Sequence, residues 1–537
     1  MRKLRVAMLI FTLFFEHPTQ AHKLTSKLDS PSQAIKDGTV KDNAAIAESS
    51  SAKYFQLFSD IDERKDTDFS PQLNFRNLSK VDIEPINSHK EFIEKGIVEK
   101  EESASIKFKI PEQPLTSPLP ARPGTKVITS EWLLNLPQQS LDSPIIRWLN
   151  NTHLLYDSAP LENKRERTIE LLNVHTGEYR ILGKGSAPSP SPDGQWIAFT
   201  QGEKESKQLW IMDHNGSNLK QLSHIKGGLS DYSFEFAWSP DSKRIALVHQ
   251  PSFPYWEKKD PPQSRIDVID VTSGHSQHIA SFDASIRSLS WLPNGKELLF
   301  MKERVSRLYN EDEDREWIQS LRIQDAHLFT LAKFGGLQQS LRPVSSPDGQ
   351  WIAFMYDADN PQFNFMPSLG LIPNDSSNSD TLPSMTRLTH ELKLYSPRWS
   401  HDGQRIYVLR DYGAYKQIYA IDAKTGEPSQ ITQDPLNIES YALSPDGTQL
   451  AWMGQDAHAT HFIRVALSDG RNVRDLAVIS TVPNDMALSE VREIDWQAPP
   501  DYPVRLRGLL FMPLNYQVGT RYPLIVDIHG GGAGASI

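Results

Sequence analysis

The sequence predicts a mainly β protein, a seven-bladed β-propeller followed by the first strands of a second, parallel-sheet segment. Three observations predict it. An apolar residue or Trp followed by Ser-Pro-Asp-Gly and a β-rich run recurs through the middle of the chain. Most copies are followed by a second strand pair with a Gly-bearing turn. After about Val491 this rhythm stops, and a different one ends on YPLIVDIHGGG. Self-similarity at about 40–50 residues marks radially repeated β-sheets, in which each unit buries its faces against its neighbours.

In chain order, the start MRKLRVAMLIFTLFFEHPTQAHK places Arg2, Lys3 and Arg5 before an apolar stretch over 6–15 and ends it at Thr19-Gln20-Ala21. Basic residues before a short apolar run and small ones after it predict a signal peptide over 1–21, and hence an exported protein, periplasmic or secreted. The apolar run is too short to span a bilayer, and no later stretch is long and apolar enough, so no membrane span is expected. Residues 22–125 are polar, rich in Ser, Lys and Glu, and close on the Pro-laden PEQPLTSPLPARPG. They read as a largely disordered extension. Within them YFQLFSDI, 54–61, is apolar enough to dock as a short helix.

The propeller is expected over 126–486. Its turn phrases carry Asp193, Asp241, Asn294, Asp348, Asp402 and Asp446, and WLNNTHLLYD supplies a degenerate copy with Asn150 in the same place. Pro presets φ for the first turn position, Asp hydrogen-bonds its own backbone, and Gly accepts the left-handed geometry that closes the turn. The phrase is therefore a corner between two strands. The second hairpins, such as RIDVIDVTSGHSQHIAS and QIYAIDAKTGEPSQITQ, complete four strands per unit, and seven units run from about Trp148 to Ser480. One Asp per blade is a turn former rather than a calcium ligand.

Composition narrows the chemistry. A net charge of −10 with interspersed signs and no long basic run excludes nucleic acid as the natural partner. Zero cysteines exclude disulfides, a thiolate nucleophile and a cysteine zinc cluster. HELKL at His390 lacks the second histidine of a zinc-binding helix, and His458 with His461 reads as a solvated loop pair, so neither a metal nor a cofactor is expected.

From 487 to 537 the chain reads as a truncated α/β-hydrolase segment: a strand, a Pro turn, a longer loop and a buried strand over 524–528. The turn phrases resemble the propeller units of TolB. RLRGLLFMP followed by RYPLIVDIHGG is similar to the start of the catalytic domain in the prolyl oligopeptidase family of serine peptidases, including its acylaminoacyl-peptidase and dipeptidyl-peptidase-like branches. The chain departs from that pattern in PPDYP, where the family has Asp-Gly, and at Gly530, Gly531 and Gly532, where it has Gly-Gly-Pro. The resemblance implies an exported serine peptidase that hydrolyses short peptides through an acyl-enzyme, its propeller capping the active site.

The loop His529, Gly530, Gly531 and Gly532 would then form the oxyanion wall. Glycine leaves no Cβ between a backbone N–H and a developing negative oxygen, and Gly531 and Gly532 are the donor candidates, with His529 bracing the loop. No complete Gly-x-Ser-x-Gly elbow occurs, and Ser536 lies too close to Gly532 to be the nucleophile. The catalytic triad is therefore absent, and the chain is expected to be inactive alone, about 200 residues short of an ordinary hydrolase domain. A separate catalytic fragment is one expected partner. The alternative is a non-catalytic, exported TolB-like propeller serving as a binding scaffold. In related dipeptidyl peptidases a carboxylate pair on a propeller insertion holds the substrate amine. EDEDREW, in an insertion expected between strands near Met301 and Ala326, offers Glu311, Glu313 and Glu316 for that role.

Overall fold

A computed structural model describes residues 14–15, 119–127, 145–158, 167–202, 206–226, 229, 235–249, 264–303, 314–335, 341–356, 367–374, 382–389, 393–458, 460–480, 482–483, 485–497 and 505–526. The prediction for the docking island at 54–61 lies outside them, as does most of the expected signal peptide and extension.

Seven antiparallel four-stranded blades follow one another along the chain, over 147–184, 186–221, 235–282, 285–335, 344–387, 394–430 and 437–480, the last two linked by a single parallel pair, Lys416 with Asn437. The seven-bladed propeller read from the repeats is the observed architecture. Each blade is a contiguous piece of chain, so no strand is exchanged to close the ring. The first strand of each blade faces the axis and the fourth lies outermost, where Tyr179, Ile181 and Val478 stay more than half exposed. Between blades the apolar faces meet. Phe199, Phe300, Phe354 and Trp452 are almost completely buried there, and no α-helix occurs among the described residues.

The turn phrase has the mechanics expected of it. In blade 6 the Ser400 hydroxyl donates to Asp402 Oδ1 at 2.6 Å, which also accepts the Gln404 N–H at 3.0 Å, while Arg405 N–H donates back to Ser400 Oγ at 2.9 Å. Gly403 closes the turn at φ 69°, where a Cβ would be strained. The Ser400 hydroxyl, then the Gln404 N–H, holds the Asp402 carboxyl below its ordinary value. Ser444 and Asp446 repeat the pattern in blade 7, and Asn294 and Asn150 accept the same backbone N–H in blades 4 and 1. The aspartates are thus engaged in their own turns.

The Trp of the phrase has a second role. Trp238 Nε1 donates to the Ser189 carbonyl of blade 2 at 3.0 Å, Trp291 to Ala237 of blade 3 at 3.0 Å, and Trp399 to Val344 of blade 5 at 3.1 Å. Trp148 makes the same bond to Ala442 at 2.9 Å, joining the first blade to the last. Each indole reaches the residue one place before the equivalent position of the preceding blade. One sequence column therefore stitches four of the seven seams, those before blades 1, 3, 4 and 6.

Two stretches depart from the expected organisation. Residues 119–127, of which 119–125 belong to the expected loose extension and 126–127 to the expected start of the propeller, run beside the connector after blade 7, with Leu119 opposite Val491, Arg122 opposite Leu488 and Lys126 opposite Met486. The Arg122 guanidinium donates to the carbonyls of Val482, Pro483 and Met486. These bonds give backbone acceptors outside any sheet the partners they need. After the propeller, strands Val491–Gln497 and Arg505–Phe511 form an antiparallel hairpin, joined at its edge by Phe14–Phe15. Val491 and Leu509 pack on Ala414 and Tyr415 of blade 6. Glu493, 2% exposed, accepts the Ala414 N–H at 3.2 Å, with Arg507 3.9 Å away and lying over the Tyr412 ring. The hairpin is thus part of the propeller's packing.

The buried strand expected over 524–528 is not formed across its described residues. Leu524, Ile525 and Val526 are 42%, 39% and 45% exposed and pair with no strand. A parallel strand needs neighbours on both edges and cover on both faces, and the described residues supply neither. Nor are His458 and His461 a solvated pair. The His458 ring donates to the Ser489 carbonyl at 2.7 Å, and His461 is part-buried 3.8 Å from Glu439.

Candidate functional site

The inner strands bound a cavity of about 460 Å³ on the propeller axis, walled by blades 3 to 6. Its geometry comes from a repeated break. Ala187, Ser288, Arg342 and Ser396 are non-glycine residues with φ of 53°, 55°, 36° and 52°, and each stands three places before the Trp position of its turn phrase. Pairing with the second strand shifts register at this point in blades 2, 4 and 6. The extra residue bends the inner strand, and a left-handed non-glycine residue costs about 1 kcal/mol. Strain of this kind persists where surrounding packing fixes it, and it concentrates at binding sites.

The wall is unevenly charged. Glu235, in the same column of blade 3, accepts the Leu289 N–H of the bulge in blade 4 at 2.7 Å. Burial pushes its carboxyl above the ordinary value, against the pull of the Ser288 and Leu289 N–H groups. Arg287, Arg342 and Arg398 line the same space. Arg287 is engaged by Glu303 at 3.5 Å, and Arg342 donates to Ser396 Oγ at 3.2 Å. Arg398 lies over the Tyr441 ring at 5.7 Å. Burial lowers the pKa of Arg342, Glu235 opposes the shift, and Arg398 adds to it. Arg147 occupies the position in blade 1 that Arg398 holds in blade 6. Burial, then Arg398, brings it down to about 9. Arg398 therefore lies within electrostatic range of two other guanidiniums.

Apolar Leu289, Met301, Pro343 and Val344 complete the wall, and no histidine is among its lining residues. This arrangement can bind an anionic group and fit an apolar body beside it.

The residues singled out from the sequence lie elsewhere. His529, Gly530, Gly531, Gly532, Glu311 and Glu313 fall outside the described residues. Glu316 is placed, and not on an insertion loop. Strand Asp314–Arg322 is the third strand of blade 4, so the insertion narrows to 304–313. Glu316 sits there opposite Glu303, 2% exposed, because the alternation around Ile318 and Leu321 builds this stretch into the sheet. A side chain so placed does not present its carboxylate to a substrate amine. The channel arginines were missed as isolated residues. Their signal is the repeat read in columns, one and three places before the Trp position.

Comparison with known proteins agrees with this architecture. A stretch of 135 residues is 29% identical to dipeptidyl-peptidase 5 of Porphyromonas endodontalis, covering 25% of this chain and 18% of that protein. An acylaminoacyl peptidase solved in complex with a chloromethyl ketone superposes with TM-score 0.54 at 17% identity, over 72% of this chain and 60% of that one. The chain resembles the prolyl oligopeptidase family. A puromycin-hydrolyzing peptidase of Mycobacterium tuberculosis gives TM-score 0.52 at 14% identity, over 73% and 62% of the two chains. No family model matches. The chain thus aligns with less than a fifth of that curated relative and with under two thirds of each of these structures. Its likeness to the prolyl oligopeptidase peptidases in structure is a likeness of fold. Among the described residues no helix is long and apolar enough to cross a membrane.

Proposed function

We propose that this chain is the propeller portion of an exported serine peptidase of the prolyl oligopeptidase family, acting on short peptides through an acyl-enzyme. The observation that carries the reading is continuity. The hairpin over 491–511 is packed on blade 6, and the chain leaves it directly into RYPLIVDIHGGG, the stretch that resembles the first buried strand and oxyanion loop of such enzymes. In this arrangement the propeller admits substrate, and Gly531 and Gly532 supply backbone donors to the tetrahedral oxyanion, a contribution of about 3 kcal/mol per donor. The start of the chain supports export, with its basic residues followed by a short apolar run; Phe14–Phe15, which pairs with the hairpin edge, lies in that run and would leave the sheet on cleavage.

Residues 1–537 contain no Gly-x-Ser-x-Gly elbow, so the chain alone has no nucleophile to acylate. The purified protein is expected neither to hydrolyse dipeptidyl or acylaminoacyl coumarin substrates nor to be labelled by a fluorophosphonate. Stoichiometric labelling of a serine, with loss of peptide hydrolysis on labelling, sinks this part of the reading. A binding scaffold is the second reading. It is favoured by the charged, apolar-walled axial cavity, whose described lining residues all belong to the propeller.

A further inference from the structure

We propose that the axial cavity is a carboxylate site, in which Arg342 and Arg398 hold the C-terminal carboxylate of a short peptide whose apolar side chains lie along Leu289, Met301 and Val344.

Three observations converge on it. The first is charge imbalance. Of the cations on the wall Arg287 is neutralised by Glu303, whereas Arg342 and Arg398 form no ion pair among the described residues. Glu235 is the single carboxylate among the described lining residues; it accepts the Leu289 N–H and its charge acts on Arg287 and Arg342, so it offsets one of the two remaining guanidiniums and not both. The space therefore carries an excess of positive charge, which Arg147 reinforces from the matching position of blade 1. Guanidiniums held near one another in a partly desolvated channel repel, and an anion between them relieves that repulsion while gaining charge-assisted hydrogen bonds.

The second observation is unmet hydrogen bonding. Arg398 Nε and Ser290 Oγ are buried and have no hydrogen-bond partner among the described residues, and both belong to the wall of this cavity. Buried polar atoms are rarely left so, and two on one wall mark a place where a polar ligand completes the bonding. The third is shape. A cavity of about 460 Å³ with apolar Leu289, Met301, Pro343 and Val344 beside the cations is larger than an inorganic anion needs and lies in the range of small-molecule sites. A peptide terminus presents a planar carboxylate suited to a guanidinium fork and an apolar side chain adjacent to it.

The assignment to a peptide rests on the peptidase reading above, whereas the carboxylate chemistry does not. The test uses the full 537-residue chain and titration calorimetry at low salt with three probes: Ala-Ala-Phe, its C-terminal amide, and inorganic phosphate. The free acid is expected to bind at least about tenfold more tightly than the amide or phosphate, with an advantage that shrinks as salt is raised. The advantage should vanish in the double variant R342Q/R398Q and survive in R265Q, whose guanidinium pairs with Asp267 away from the channel. Equal affinity for acid and amide in the unaltered protein overturns the proposal without any variant having to fold. Phosphate binding as tightly as the peptide acid overturns it too. If the acid is preferred and the gene encodes no hydrolase, the site stands and the peptidase reading fails. If a hydrolase is encoded but acid and amide bind alike, the reverse holds.

Discussion

Replacing Trp148 by alanine is expected to lower the stability of the propeller by about 3–5 kcal/mol, read as a fall in the urea midpoint at unchanged slope. The ring is closed by side chains, because blades 1 and 7 are each built from their own contiguous sequence. At that seam Trp148 is 5% exposed and packs with Ile146, Leu154, Ala442, Ala451 and Met453 in one cluster. Its indole N–H also satisfies the Ala442 carbonyl. Neighbouring bonds at the seam among the described residues are few: Ile146 N–H to Ser440 Oγ at 3.2 Å, Asp446 N–H to Asn151 Oδ1 at 3.2 Å, Gln449 Nε2 to the Asn151 carbonyl at 3.0 Å and Arg474 to the Val174 carbonyl at 3.0 Å. Trp148→Phe should keep most of the packing and lose about 1 kcal/mol for the orphaned carbonyl. A loss under about 1 kcal/mol in the alanine variant contradicts closure through this residue.

Gly426→Ala is expected to cost about 2–5 kcal/mol, from two separate causes. Gly426 has φ 77°, a left-handed conformation that an L side chain resists. A Cβ there would also be driven into the Leu388 carbonyl oxygen at the end of blade 5, a backbone atom with little freedom to withdraw. The turn between the third and fourth strands of blade 6 thus rests directly on its neighbour's outer edge. Gly183→Ala is the matched control, since a Cβ at that outer strand meets nothing within 4 Å. Thermal unfolding of the two variants should separate them clearly, and similar melting temperatures would show that the outer turns do not hold blades together.

Most of the propeller was legible because its turn phrase encodes local chemistry. Ser400, Asp402 and Gly403 need only their own neighbours to make the corner, so the sequence pattern and the geometry coincide. The Trp column was visible as well, although its partner carbonyls, about 50 residues away in most blades, become apparent only when blades stand side by side. What was illegible depends on such non-local placement. The acidic EDEDREW looks like a solvated insertion in sequence, yet Glu316 is carried into the sheet by the apolar residues that follow it. Residues 119–127 look like an unattached Pro-rich linker because their partners lie more than 350 positions further on. Arg147, Arg342 and Arg398 are unremarkable singly. Radial symmetry is what gathers residues from blades 1, 5 and 6 onto one axis.

The same logic bears on the terminal stretch. Leu524, Ile525 and Val526 have the composition of a buried parallel strand but are exposed here. That composition makes sense if further strands and helices cover them in a longer polypeptide, or in a partner that supplies them. The measurement that decides this most directly is the nucleotide sequence of the gene beyond codon 537. The peptidase account predicts about 200 further codons, in frame or after a shift, encoding a Gly-x-Ser-x-Gly elbow and then an acid and a histidine in that order. An unrelated gene beginning there, with no such reading frame beside it, would contradict the account and leave the propeller as a binding scaffold.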